Sequence, residues 1–307
     1  MYRSILVPLD GSPFGEHALP LALSIARRSG AQLYLAHVHV DSVPMFVNGM
    51  VYLDPTADIQ ARERERAYLD ALATRLAKRL DRAITTTLLD GMVADALHDY
   101  ATQIEADLVV LTTHGRGGLA RAWLGSVADT LMRRLPIPVL LVRPPEAAPD
   151  LNHEPVVARI LIPLDGSTLA EQVLAHAMAL GRPMQAAYTL LQAIDPVILG
   201  YTPAAYAMGL DELIIEQERV AAQSYLAEIA ERLRAESLRV ETNVAIGPSA
   251  AAILDYAHAH RVDLIALATH GRGGLQRWLL GSVADKVVRG ASVPVLVYRP
   301  QAEIAPH

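Results

Sequence analysis

Ile5-Leu6-Val7-Pro8-Leu9-Asp10-Gly11-Ser12 returns as Ile160-Leu161-Ile162-Pro163-Leu164-Asp165-Gly166-Ser167, with seven of eight residues identical. Each copy is an apolar run of strand length that ends in a carboxylate and a turn-forming glycine. The likeness continues down the chain. Thr113 to Pro144 aligns without gaps to Thr269 to Pro300, with 20 of 32 residues identical. A period of about 156 residues is far too long for a solenoid and means two copies of a whole domain. Pro144-Pro145-Glu146-Ala147-Ala148-Pro149-Asp150 joins them as a Pro/Ala-rich linker. The boundaries therefore read 1–144 for the first domain, 145–157 for the linker and 158–307 for the second domain.

Within each copy short apolar runs alternate with helix-like segments. In the first, strands are expected over 4–9, 31–39, 83–89, 107–112 and 138–142. Ser12-Pro13 looks like a cap and first helical position, opening a helix that Gly30 stops. Residues 41–56 carry Pro44, Gly49 and Pro55 and read as loop. A long helix over 57–80 places Leu69, Leu72, Leu76 and Leu80 on one face, with Arg and Glu on the other. Two more helices are expected over 93–104 and 125–134. The second copy repeats the order, with strands near 159–164, 186–194, 239–246, 263–268 and 294–298, and helices near 168–181, 210–235, 249–260 and 281–290. Strands alternating with helices imply an α/β fold, a parallel sheet covered on both faces.

Composition sets the outer limits. The 307 residues are 52% apolar and 20% charged, which suits a globular chain of two domains. A net charge of −6 gives no general attraction to nucleic acid or to an anionic membrane. Cysteine is absent, which excludes disulfides and thiolate zinc sites. Met1-Tyr2-Arg3-Ser4 runs straight into an apolar strand without a signal-peptide layout, and no apolar run is long enough to span a bilayer. The expectation is a cytoplasmic protein.

In an open parallel sheet, ligands bind beyond the carboxyl ends of the strands, where the strand order reverses. Two loops have the right content. One leaves strand 1 with Asp10-Gly11-Ser12. The other leaves strand 4 as Thr113-His114-Gly115-Arg116-Gly117-Gly118-Leu119, and nine residues separate Gly115 from Gly125-Ser126. The second copy carries Thr269-His270-Gly271-Arg272-Gly273-Gly274-Leu275 and then Gly281-Ser282 at the same spacing. If strands 1 and 4 are neighbours, an acceptor carboxylate faces a glycine loop. That suits a nucleotide: Asp10 or Asp165 for ribose hydroxyls or a metal, glycine N–H groups and the helix start for phosphates. The same glycines also serve plain tight turns, with Ser126 an N-cap. Arg116 and Arg272 are candidates for phosphate charge or for solvated loop residues.

These residues resemble the universal stress protein family, in tandem, over nearly the whole chain. The motif of its ATP-binding branch is Gly, two residues, Gly, nine residues, Gly, then Ser or Thr. Gly115, Gly125 and Ser126 match it, as do Gly271, Gly281 and Ser282. Thr112 and Ala268 stand where the motif has its first glycine. The resemblance implies two Rossmann-like (HUP-type) domains, each a five-stranded parallel sheet of order 3-2-1-4-5. It also implies ATP as ligand, and adenine recognised by backbone after strand 2, at Val38 and Ala193; Mg2+ enters as a companion cation only if ATP is hydrolysed. Gly118 and Gly274 fall in the phosphate loop, and Gly91 and Gly247 lie near the same pocket. In this family the fifth strands, Pro138 to Val142 and Pro294 to Tyr298, are expected to pair the two copies as a pseudo-dimer, with homodimerisation of the whole chain a further expectation.

Other signals stay open. No Walker P-loop and no Gly-x-Gly-x2-Gly fingerprint occurs. His37 and His39 share a strand face, as a metal pair or as structural histidines; the second copy has Gln192 and Ile194 there. His114 and His270 either touch ligand or order the loop. Asp129 and Asp285 read as helix-start charges. Tyr52, Tyr201 and Tyr206 either lid the pocket or pack within the loops. No catalytic triad or paired carboxylates are evident. The readings carried forward are a stress-response ATP-binding sensor with protein partners, a weak Mg2+-dependent ATPase using Asp10 and Asp165, and an interaction scaffold with vestigial pockets.

Overall fold

The computed structural model describes residues 1–40, 45–47, 50–52, 55–80, 82–113, 124–145, 147–196, 210–269 and 280–300. The chain forms two compact units, Tyr2–Pro155 and a second that begins at Val156.

The first unit runs β1 (Ser4–Leu9), α1 (Leu19–Ser29), β2 (Gln32–His39), β3 (Met45–Val47), β4 (Met50–Tyr52), α2 (Pro55–Ala77), β5 (Thr85–Asp90), α3 (Val93–Gln103), β6 (Leu108–Thr112), α4 (Ser126–Arg134) and β7 (Val139–Val142). Its main sheet is parallel in the order β5-β2-β1-β6-β7, which is 3-2-1-4-5 when those five strands are counted along the chain. β1 is central: Ile5 pairs with Leu33 on one side and Leu108 on the other. Ile5, Leu6 and Val7 are all buried, as a strand with both faces covered requires. α1 packs on β1 and β2, α2 on β2 and β5. The buried stripe Leu69, Leu72, Leu76 seats α2 on the sheet.

The second unit repeats this as β8 (Arg159–Pro163), α5 (Thr168–Glu171), α6 (Val173–Gly181), β9 (Ala187–Ile194), α7 (Leu210–Ala235), β10 (Arg239–Ile246), α8 (Ser249–Ala259), β11 (Leu264–Ala268), α9 (Ser282–Gly290) and β12 (Val295–Tyr298). The sheet order is β10-β9-β8-β11-β12, again parallel. Leu226, Ile229 and Leu233 repeat the buried stripe on α7.

Two local expectations are corrected. Residues 41–56 are not plain loop. β3 and β4 form an antiparallel hairpin with Met45 opposite Tyr52, and α2 already begins at Pro55. The apolar triplets Met45-Phe46-Val47 and Met50-Val51-Tyr52 flank Asn48-Gly49, a sequence pattern that favours a two-residue hairpin. The first helix also starts later than Ser12. A 3-10 turn spans Gly15–Ala18 and the α-helix begins at Leu19. Pro20 has no N–H to give the Glu16 carbonyl, so the preceding turn cannot be α-helical there. In the second unit Ala175 stands at that place and the helix opens at Thr168.

The linker residues up to Pro155 belong to the first unit. Arg27 donates to Glu154 at 2.7 Å, Ser24 to the Pro155 carbonyl at 2.7 Å, and Arg79 to the Asn152 carbonyl at 2.9 Å.

Candidate functional site

β1 and β6 are neighbours in the first unit, as are β8 and β11 in the second, so the loops leaving them open at the same sheet end. Asp10 follows β1. Its Oδ1 accepts from the Ser12 N–H at 2.9 Å and from the Ser12 hydroxyl at 2.6 Å. The Ser12 Oγ in turn accepts from the Gly15 N–H at 3.3 Å. Gly11, at φ +73, makes the turn that brings Ser12 back to the carboxylate. Asp165 repeats the arrangement: Ser167 N–H at 3.0 Å, Ser167 hydroxyl at 2.6 Å, and Ala170 N–H on the Ser167 Oγ at 3.2 Å. This is an Asx turn. It spends one carboxylate oxygen on the backbone and thereby fixes where the carboxylate points.

The facing wall is built from β6 and α4. Thr113, just past β6, is buried, and its N–H donates to the Val142 carbonyl at 2.9 Å. Its own carbonyl accepts from the Gly125 N–H at 2.7 Å. Thr269 does the same, with the Tyr298 carbonyl at 2.8 Å and the Gly281 N–H at 2.9 Å. Gly125 and Gly281 are the N-caps of α4 and α9; Ser126 and Ser282 are the first helical residues. The N–H groups of a first helical turn have no intrahelical acceptor. A Cβ on Gly125 would lie 3.3 Å from the Thr113 oxygen, and one on Gly281 only 2.7 Å from the Thr269 oxygen. Glycine lets the helix head close onto the strand end. That is the kind of backbone cradle an anion needs.

Val38 is buried in β2, in register with Leu89, and Ala193 occupies the same place in β9, in register with Ala245. Next to Ala193, the Gly247 N–H caps the Ile194 carbonyl at 2.9 Å. Thr112 and Ala268 end β6 and β11. Gly115, Arg116, Gly117 and Gly118, with Gly271, Arg272, Gly273 and Gly274, lie outside the described residues, as do His114, His270, Tyr201 and Tyr206.

Two other sequence signals, Asp129 and Asp285, resolve without ligand. Asp129 forms a double hydrogen bond with Arg133, both at 2.8 Å, and Asp285 pairs with Arg289 at 2.9 Å. These are one-turn helix ion pairs. In the second unit the Tyr225 hydroxyl donates to Glu171 at 3.2 Å; burial, then the carboxylates of Glu171 and Asp165, push its pKa well up, so it is a neutral donor.

His37 and His39 are tied into the protein. The His37 Nδ1 stands 2.7 Å from the Leu9 carbonyl, which can only accept, so that nitrogen carries its proton. The His39 Nδ1 is 2.7 Å from Glu65 and its Nε2 2.9 Å from Asp58. Arg62 bridges Asp58, at 3.0 Å, and Asp90, at 2.6 Å. Among the described residues no three His, Asp or Glu converge as a metal centre. The sequence reading missed the α2 side of this network. The signal was present: Asp58, Arg62 and Glu65 lie on the same helical stripe as Leu69 and Leu72, eleven, seven and four residues before Leu69. Charges on a buried stripe demand partners.

A protein-family model described as the universal stress protein family matches residues 1–143 and again 157–299. The chain is 28% identical to a universal stress protein of Mycolicibacterium smegmatis over 97% of both chains. It is 35% identical to the Mycobacterium tuberculosis universal stress protein Rv2005c, over 64% of this chain; the match spans 62% of that relative's length. The fold is similar to a crystal structure of a universal stress protein from Archaeoglobus fulgidus, with a TM-score of 0.66, 17% identity, and 98% and 97% of the two chains covered. Both halves being matched, the chain belongs to the universal stress protein family.

Proposed function

We propose that this tandem universal stress protein is a cytoplasmic adenine-nucleotide-binding module, with ATP the expected ligand in both units, whose occupancy alters a surface read by protein partners. One observation carries the reading: in each unit a carboxylate fixed by an Asx turn lies past the central strand, while the neighbouring strand ends against a glycine helix cap. Asp10 and Asp165 would accept from ribose hydroxyls. The backbone around Val38 and Ala193 would meet the base. The first-turn N–H groups at Ser126 and Ser282, with their hydroxyls, would face phosphate. ATP supplies the negative charge and, when split, the free energy; the residues of this chain bind and orient it.

No side chain among those described at this end of the sheet is held as an activated nucleophile, which favours binding over turnover. The test is calorimetric titration of the full chain with ATP and Mg2+, beside an Asp10→Ala/Asp165→Ala variant. Binding that the variant loses is the expected result. No heat at millimolar nucleotide overturns the reading.

A further inference from the structure

The His39 network belongs to one unit only. Its residues correspond to Gln192 and Ile194 on β9, to Ile246 after the same strand register, and to Ile215 and Ala222 on α7. The α7 correspondence follows from the shared stripes, Leu69-Leu72-Leu76 against Leu226-Ile229-Leu233, with Tyr68 matching Tyr225. The strand pairing agrees: His39 lies opposite Asp90 as Ile194 lies opposite Ile246. Of the charged groups only Arg62 persists, as Arg219, and that residue turns to Glu216 within its own helix at 2.8 Å. The charged network at this place in the first unit thus gives way to mostly apolar residues in the second.

The chemistry at His39 admits one protonation state. The side chain is buried, and each ring nitrogen faces a carboxylate oxygen, Glu65 at 2.7 Å and Asp58 at 2.9 Å. Carboxylates accept and cannot donate. A neutral imidazole owns one N–H, so its other nitrogen would turn a lone pair toward a carboxylate at under 3 Å. Only the imidazolium satisfies both. The charge balance agrees. Asp58 and Asp90 share one guanidinium, Arg62, while Glu65 has His39 and His37 before it, so a positive His39 supplies the second cation of the cluster. His37, the remaining titratable neighbour, faces the other Glu65 oxygen at 3.5 Å and is anchored to the Leu9 carbonyl.

From this geometry we infer that His39 is a proton-operated clamp, which holds the first three turns of α2 on the end of β2 while it is protonated and releases them when it is not. Burial works against the charge on His39, but the hydrogen bonds it donates to Glu65 and Asp58 outweigh it and hold its pKa above the ordinary histidine value. The clamp therefore opens on the alkaline side. It touches the Leu9 carbonyl through Glu65 and His37, one residue from Asp10, so its state reaches the rim of the sheet end in the first unit whatever that end binds. The second unit has no titratable counterpart and stays shut.

The test uses the full chain labelled at histidine ring carbons and followed by NMR across pH, with His39→Gln assigning the resonance. Amide hydrogen exchange over residues 56–66, corrected for the intrinsic rate, is measured on both sides of the midpoint, with residues 213–223 as internal reference. We expect His39 to titrate above a free imidazole, Glu65→Gln or Asp58→Asn to lower that midpoint, and protection of 56–66 to fall through it while 213–223 keeps its own. A His39 midpoint at or below the free value overturns the clamp. So does equal protection of 56–66 in the protonated and neutral states. The wild-type titration decides the matter even if a carboxamide variant fails to fold.

Discussion

The α-carbon of Gly281 lies so close to Thr269 that a Cβ there would stand 2.7 Å from the Thr269 carbonyl oxygen, whereas at Gly125 the gap to Thr113 is 3.3 Å. The opposing atom is backbone in both cases and cannot rotate away. Gly281→Ala should therefore cost about 1–3 kcal/mol, and Gly125→Ala less, because a shift of a few tenths of an ångström relieves it. Chemical denaturation of the two variants checks the order. Equal costs would show that α9 slides off β11 without resistance.

Ser12 and Ser167 each hold an aspartate oxygen at 2.6 Å and accept a backbone N–H behind it. Replacing either by alanine removes the short hydroxyl contact together with the acceptor of a backbone N–H, which at Ser167 is the N-cap bond of α5. A loss of about 0.5–2 kcal/mol per site is expected. Nucleotide affinity should fall as well, since Asp10 or Asp165 then loses the short hydroxyl contact that orients it. Calorimetry on the double alanine variant measures this, and unchanged affinity would remove the Asx turn from the binding reading.

Gln192 is buried in β9, and its Oε1 has no hydrogen-bond partner among the described residues. The oxygen has lost water and gained nothing. Gln192→Met keeps the length of the side chain and deletes the orphan, so it should stabilise the protein by about 1 kcal/mol. A lower midpoint in thermal melts would mean that the amide is satisfied in solution.

The stability of the first unit should depend on pH through α2. His39 has a raised pKa in the fold, so its contribution is complete below the unfolded value of about 6.5 and disappears as pH climbs through the folded one. Asp58 has a lowered pKa, owing first to His39 and then to Arg62. Its contribution is present above the ordinary carboxylate value and fades as pH falls through the depressed one. Glu65→Gln replaces a charge-assisted bond to a buried imidazolium, worth about 1.5–3 kcal/mol. The difference between wild type and Glu65→Gln should be largest near pH 6 and should shrink in alkaline solution. A difference that is flat with pH would contradict the ionic account.

The strand order followed only from the family resemblance, whereas the two-domain α/β architecture was legible because it rests on long-range repetition and on apolar strands such as Ile5-Leu6-Val7, whose burial on both faces leaves little choice of partner layer. Asp10 and Asp165 stood out for the same reason, each closing an apolar strand. The hairpin at β3 and β4 was passed over because Pro44, Gly49 and Pro55 outweighed two apolar triplets too short to register as strands. The late start of α1 depends on a single missing N–H at Pro20, which no periodicity expresses. The His39 network was half visible: two histidines on a strand announce a shared face, but their partners come from α2, nineteen to twenty-six residues away, and only the fold brings them together.

Because an ionic network holds the first turns of α2, and its charged residues other than Arg62 are not repeated on α7, every molecule carries its own blank. Temperature, denaturant and solvent composition act on two nearly equivalent helices present in fixed one-to-one stoichiometry. Proton activity acts on one of them. A signal taken as the difference between the two helices cancels everything common to both, including protein concentration, and keeps the protonic part. A repeated domain whose two copies differ in charge at this place is in this way a differential measurement.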